Sequence, residues 1–399
     1  VSITKLAGTG TLSFINNGNL GSETLPVGGN GVVLSGLLAN GVVNNNENGV
    51  IYSNGDAVTI EVGGTATVTN DNLIHSENGA GINILSGGNA LVQNNEDGVI
   101  ESGGDGVNVT SLLSNATVEN AGQIDADGAG IVATAAVGDA TVNNSGHVDA
   151  GGTGITANSL LGTATVTNSG QSVISVGDAI TVNAGINANV ANTGVVTSTG
   201  GNGIGALALG DIEILHGGTE DAHVSAENGW GISATTLAGN VVIDGADVGD
   251  GKTYGSIESA GTGISAAAGG TIDINAGQIN TGSAGGPLGG FLSGGIVALG
   301  GGDVGITAHD SVMTEGNVGV LGVSESGNTT INTTTVNADL AGVVGLADGE
   351  VNITAGDTTS GGLGVAGLGG GDVEITTGDT TSNTNGSGGL FGSGVLGVS

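Results

Sequence analysis

The chain has 399 residues, of which 86 are Gly and none is Cys, and its 37 acidic residues face only 2 basic ones, for a formal charge of −35. Without Arg and with two Lys it cannot neutralise a phosphate backbone, which excludes nucleic acid as a partner and anionic lipid with it. The lack of Cys removes disulfides and thiolate metal sites; no apolar run reaches the roughly 18 residues of a transmembrane helix; and the Gly lacks the triplet period of collagen.

Taken in chain order, two short motifs alternate. The first reads apolar–x–Asn: Phe14-Ile15-Asn16, Val43-Asn44-Asn45, Val68-Thr69-Asn70, Val92-Gln93-Asn94, Val118-Glu119-Asn120, Val142-Asn143-Asn144, Val166-Thr167-Asn168 and Val190-Ala191-Asn192. Its apolar position continues without the Asn at Ile214, Ile243, Ile274, Ile306, Ile331, Ile353 and Ile375. The second reads small–x–Gly/Ala–Val/Ile and runs from Val32 and Val58 through Ile131 and Ile232 to Val365 and Val395. Each second motif precedes the next first motif by 10 or 11 residues, whereas the return distance varies from 12 to 22. One arc of the repeat is fixed and the other takes insertions.

Between the motifs lie β-branched alternations such as Thr-Ala-Thr-Val-Thr-Asn, with Gly and Asn at the joints. That is strand-and-turn chemistry, without the i, i+3, i+4 spacing of a helix. A unit of this size with short strands leaves both backbone edges unpaired until a neighbouring unit stacks on it. The expectation is an all-β fold: a single right-handed parallel β-helix, or β-solenoid, of about fifteen coils and about 70 Å in length. Stacking would align Asn16, Asn45, Asn70, Asn94, Asn120, Asn144, Asn168 and Asn192 as a ladder of side-chain amides. Residues 1–210 are expected to carry this ladder. Residues 211–399 continue the same solenoid, with longer loops at 215–295; there the ladder position passes to His216, Gly245, Ala276 and Ala308.

Units such as Asn115–Ile131 and Thr163–Gly170 resemble the passenger repeats of bacterial autotransporters and the filamentous haemagglutinin-type exoproteins of two-partner secretion. The resemblance covers nearly the whole chain and is specific for architecture, since these families share the scaffold and differ in what it carries. It implies export across a Gram-negative outer membrane and an extracellular, cell-surface location. The chain stops at Ser399, just after the fifteenth second motif, and lacks the membrane barrel of an autotransporter; a segment of a longer polypeptide is expected.

Three successive long loops, Leu215–Gly231, Asp244–Gly263 and Asn275–Gly295, hold His216, His223, Trp230, Lys252, Tyr254, Pro287 and Phe291. Stacking would set these loops side by side. His216, His223, Trp230, Tyr254 and Phe291 are therefore the candidate binding residues, because aromatics supply much of the energy of contact surfaces. The competing reading has Trp230 and Phe291 covering core beneath long loops. Asp125 and Asp149 share an offset in adjacent coils, with Asp127 near in register, so two carboxylates would lie about 5 Å apart. Calcium is the cation that oxygen ligands of this kind would take, against the alternative of solvated surface charge.

Catalysis is not expected. Polysaccharide lyases on this fold need Lys or Arg to stabilise an enolate-like charge, and only Lys5 and Lys252 exist. The five His form no H-E-x-x-H motif. The expected role is a non-enzymatic surface or secreted solenoid of adhesin or passenger type, with cell-surface proteins, glycans or further copies of itself as partners. The alternatives are a subunit of an extracellular filament or sheath, an ice-binding protein carried by Thr-x-Thr rows, and a glycan-active enzyme.

Overall fold

Each apolar alternation buries one face of a short strand, and each Gly- or Asn-containing joint turns the chain toward the next strand. One coil shows the plan. An A strand, Val58–Val62, is followed by a B strand, Ala66–Asn70, and a C strand, Leu73–Ser76; the next coil begins at Ile82. The computed structural model describes residues 1–219, 222–248, 251–282, 293–315, 317–382 and 394–399. The chain is an all-β parallel β-solenoid of about 14 turns. It divides into two compact units, Val1–Val190 and Ala191–Ser399.

In the first unit every class of strand pairs in parallel with its own kind one coil on. The A strands align Val32, Val58, Ile82, Val107, Ile131, Ile155 and Ile180. The B strands align Val43, Val68, Val92, Val118, Val142 and Val166. The C strands align Ile51, Ile74, Ile100, Ile124, Val148 and Val173. All of these side chains are fully buried. The core is thus three columns of β-branched residues, which suit a pleated surface and lose little rotamer freedom on burial.

The B-to-C corner is polar inside, and the Asn column resolves that burial. Asn16 Nδ2 donates to Asn45 Oδ1 at 2.8 Å, Asn45 to Asn70 at 2.8 Å, Asn70 to Asn94 at 2.8 Å and Asn94 to Asn120 at 2.8 Å. Asn120 continues to Asn144 at 2.7 Å and Asn144 to Asn168 at 2.8 Å. The second amide hydrogen goes to a main-chain carbonyl, as from Asn45 to Leu73 and from Asn94 to Gly98. Each buried amide therefore has its hydrogens and its oxygen engaged, which removes the cost of about 1–3 kcal/mol for an orphaned group.

The second unit departs from this plan where the corner residue changes. Its A strands run in register from Ile204 through Ile232, Ile264, Ile296, Val320 and Val343 to Val365. In three of its coils the B and C strands merge into the long strands Val304–Thr314, Thr329–Ala338 and Val351–Ser360, whereas Ile272–Ala276 and Ile279–Thr281, like Val373–Thr377 and Thr380–Ser382, stay separate. At the former corner stand Ala308, Thr333 and Ala355. None of these holds an amide ladder, and the chain runs on as strand, with a register shift after Ala308.

Asn94→Ala interrupts the ladder at its middle, leaving the Asn70 amide and the Asn120 carbonyl oxygen without their partners. A loss of about 2–4 kcal/mol is expected by urea denaturation, on the scale of two orphaned buried groups. Leu237→Ala, at a surface position 71 % exposed, is expected to change stability by less than about 0.5 kcal/mol.

Candidate functional site

The long loops of the second unit leave the solenoid at different corners. Six residues separate the B strand Ile212–His216 from the C strand His223–Ala226, against two between Asn70 and Leu73. One coil later the same corner carries an antiparallel hairpin, Ala246–Val248 with Gly251–Thr253, ahead of Ser256–Ser259. Lys252 reaches back from this hairpin to pair with Asp244. The third insertion instead follows the C strand Ile279–Thr281 and precedes the A strand that starts at Gly294. Phe291, Pro287 and most of this insertion lie outside the described residues.

This geometry corrects the expectation of one patch. Tyr254 sits just before the C strand Ser256–Ser259, and Trp230 sits just after the C strand His223–Ala226, with His223 paired to Ser256. The two aromatics are at opposite ends of adjacent C strands, on different corners. The spacing between motifs counted inserted residues but did not say on which side of the C strand they fall. Both side chains are half-buried. Tyr254 stacks on His309, with ring centroids 4.2 Å apart and planes inclined by 18°.

His216 is the second correction. It is 5 % exposed and belongs to the interior of the corner rather than to a loop surface. Asn192 Nδ2 donates to His216 Nδ1 at 3.2 Å, and His216 Nε2 donates to the Ser256 carbonyl at 3.1 Å. The ring thus takes the place of an amide beside Asn192, accepting on one side and donating on the other. Gly255 makes room for it, since a Cβ there would lie 2.3 Å from His216 Nε2. His223 meets the same residue, its Nδ1 lying 2.8 Å from Ser256 Oγ. Ser256 therefore joins the two histidines, and no sequence motif singled it out. Burial pushes the His216 ring below the usual histidine range; hydrogen bonding to the main chain of Ser256 and of Asn192 opposes the shift and His223 adds to it.

In the first unit the outward face of the C strands carries an ionisable column. Tyr52, His75, Glu101, Asp125 and Asp149 are consecutive register partners. The Tyr52 and His75 rings are 4.8 Å apart, and His75 Nδ1 lies 2.9 Å from Glu101 Oε2. A shallow groove of about 280 Å³ is lined by His75, Glu77, Glu101, Asp125 and Asp127. Partial burial, followed by repulsion from Asp149, Glu101 and Asp127, raises the Asp125 carboxyl above the usual range, with His147 opposing. Among the described residues no group of three or more His, Asp and Glu side chains is arranged to hold a metal ion. The outward Thr row of the B strands reads Thr67, Leu91, Thr117, Thr141 and Thr165, so a leucine interrupts it.

No protein-family model, curated protein or solved structure matches this chain.

Two titrations check these placements. Because burial lowers the folded pKa of His216 beneath its unfolded value near 6.5, the unfolded chain binds this proton more readily. The His216 contribution is complete above about pH 7 and is lost as pH falls below about 6.5. His216→Asn keeps a donor and an acceptor but does not titrate; its melting temperature should fall less than that of the parent chain between about pH 7 and pH 5. Asp125 has the opposite sign, since its raised folded pKa means that the ionised carboxylate opposes folding at neutral pH. Asp125→Asn should stabilise by at most about 1 kcal/mol near pH 7, less in high salt, and not at all near pH 3, where the carboxyl is protonated in both states.

Proposed function

We propose that this chain is a non-enzymatic, structural solenoid of the autotransporter-passenger or haemagglutinin type, displayed at or secreted from the surface of a Gram-negative bacterium and mediating attachment or self-association. The observation that carries the reading is the repetition itself. Through the first unit the A, B and C strands repeat residue for residue. The polar side chains at the B-to-C corner are consumed in holding one coil to the next. A scaffold of this kind presents surface over length, and its variation is confined to corners, where insertions leave the stack intact.

The charge supports the same role. A formal charge of −35 keeps such a long repetitive surface from precipitating, and salt screens the resulting self-repulsion over about 8–10 Å. The interrupted Thr row gives the ice-binding alternative no regular hydroxyl plane in the first unit.

Beads coated with the purified chain should adhere to cultured cells or to glycan-coated glass more than beads coated with albumin. Adhesion should fall when free chain is added in excess. Release of reducing sugar from a panel of polysaccharides, or thermal hysteresis of freezing, without any gain in adhesion would overturn the reading in favour of an enzyme or an ice binder.

A further inference from the structure

The corner that joins A strands to B strands in the first unit takes two forms. In some coils it carries paired apolar residues that point into solvent. Leu112 and Leu113 are 46 % and 74 % exposed, and Leu160 and Leu161 are 70 % and 61 % exposed. Val137 lies on the coil between them, and Ile186 follows on the next, both about half exposed. Main-chain hydrogen bonds from Leu160 N to Ala135 O and from Ile186 N to Gly162 O keep these coils in line. The result is an apolar ridge running across four successive coils, or about 14 Å from first to last at the strand spacing.

In the two coils before the ridge the same positions are Gly63-Gly64 and Gly87-Gly88. Here the main chain hugs the coil beneath it. A Cβ on Gly63 would stand 1.8 Å from Leu37 O, and one on Gly87 would stand 2.3 Å from Gly63 O. No side chain fits, so the corner is notched. The adjoining groove, about 530 Å³, is lined by Leu6, Leu37, Val62, Leu85 and Leu112 and also by Lys5 and Glu61.

Side-chain oxygens of this corner accept from the main chain one coil on. Asn40 Oδ1 accepts from Thr65 N, Asn115 Oδ1 from Asp139 N and Asp139 Oδ1 from Thr163 N. In a chain with 37 acidic residues, the corner segments from residue 36 to residue 187 contain one ionisable side chain, Asp139. What faces outward is uncharged and apolar, at a place where a partner of any charge meets little repulsion.

We propose that this corner is a self-association surface, and that its occupant is a second copy of the same chain, whose Leu160–Leu161 ridge seats in the glycine notch. The choice of a second copy follows from shape and charge. Ridge and notch lie along one line on one molecule, so a two-fold axis between them, near Leu112, lets each copy fill the notch of the other at once. Such a contact closes at two copies. It also meets the electrostatic constraint on pairing two equally acidic chains, because it uses a strip with a single acidic residue, Asp139, as sparse as the outward A and B faces with Glu61 and Glu119. The pairing rests on the self-association part of the function proposed above and names its surface.

Sedimentation velocity on the purified chain tests it without any cell surface, so its result is separable from that of the bead experiment. A concentration-dependent dimer is expected. It should tighten, not loosen, between about 0.1 M and about 1 M NaCl, because salt screens the repulsion of the acidic faces and leaves the apolar contact. On the ridge, Leu161→Asp should raise the dissociation constant at least tenfold, and on the groove side Leu85→Asp should do the same. Thr167→Asp, on the outward B face, should leave it unchanged. Circular dichroism melts establish that each variant is folded, and the ridge and groove variants check one another should either fail to fold. A parent chain that stays monomeric at the highest attainable concentration in both salts overturns the proposal, as does a dimer that folded ridge and groove variants leave intact.

Discussion

A single coil of this chain cannot stand alone, because every strand in it has hydrogen-bonding groups on two edges and only the coils above and below can satisfy them. Parallel pairing in strict register is therefore the constraint from which the other features follow. It requires that residues at one offset share one environment, coil after coil. Apolar positions become continuous columns, as from Val32 to Ile180 on the A strands. A polar residue admitted to the interior must also recur, since its best partner is its own equivalent on the next coil. Asn meets that condition because its amide both donates and accepts along the column, and its presence coincides with a sharp B-to-C corner. Where Ala308, Thr333 and Ala355 take its place, B and C strands fuse, although beside Ala276 and Thr377 at the same position they stay separate.

The same rule explains what the amino-acid pattern made legible. The offsets of Val68, Val92 and Val118, and of Asn70, Asn94 and Asn120, can be read directly as a stack because insertions do not fall between the two motifs of the A-to-B arc. The strand classes and the all-β solenoid were visible for that reason. Loop geometry was less legible. The variable arc contains two corners, and a count of residues from one motif to the next does not distinguish an insertion before the C strand from one after it. Such a count groups Trp230 with Tyr254, although a whole strand separates their corners. Proximity in sequence adds His216 to them, while its hydrogen bonds to Asn192 and Ser256 place it among the interior groups. The signal was present: His216 occupies the ladder position immediately after Asn192, and the small residue Gly255 marks where the ring packs.

Charge and burial act in opposite directions along the surface. In register stacking, a carboxylate placed outward on one coil meets whatever stands at the same offset on the next, and Asp125 with Asp149 shows the unfavourable outcome. Elsewhere the column alternates in character, as where His75 comes between Tyr52 and Glu101. The A-to-B corner avoids the problem by being nearly free of ionisable groups. Its exposed leucines cost little in the isolated chain, since scattered surface apolar residues are ordinary, but a contiguous row of them marks a contact surface.

The amide column also has a direction. From Asn16 to Asn144 each side chain donates toward the coil of higher residue number, and from Asn45 to Asn168 each accepts from the coil of lower number. The peptide-like dipoles of the side chains are thus aligned head to tail, and each junction between coils is chemically the same as the one before it. Removing one whole repeat, or copying one, would join an identical donor to an identical acceptor. Gene-level duplication or deletion of complete units can in this way change how far the polypeptide reaches without a new junction having to be invented.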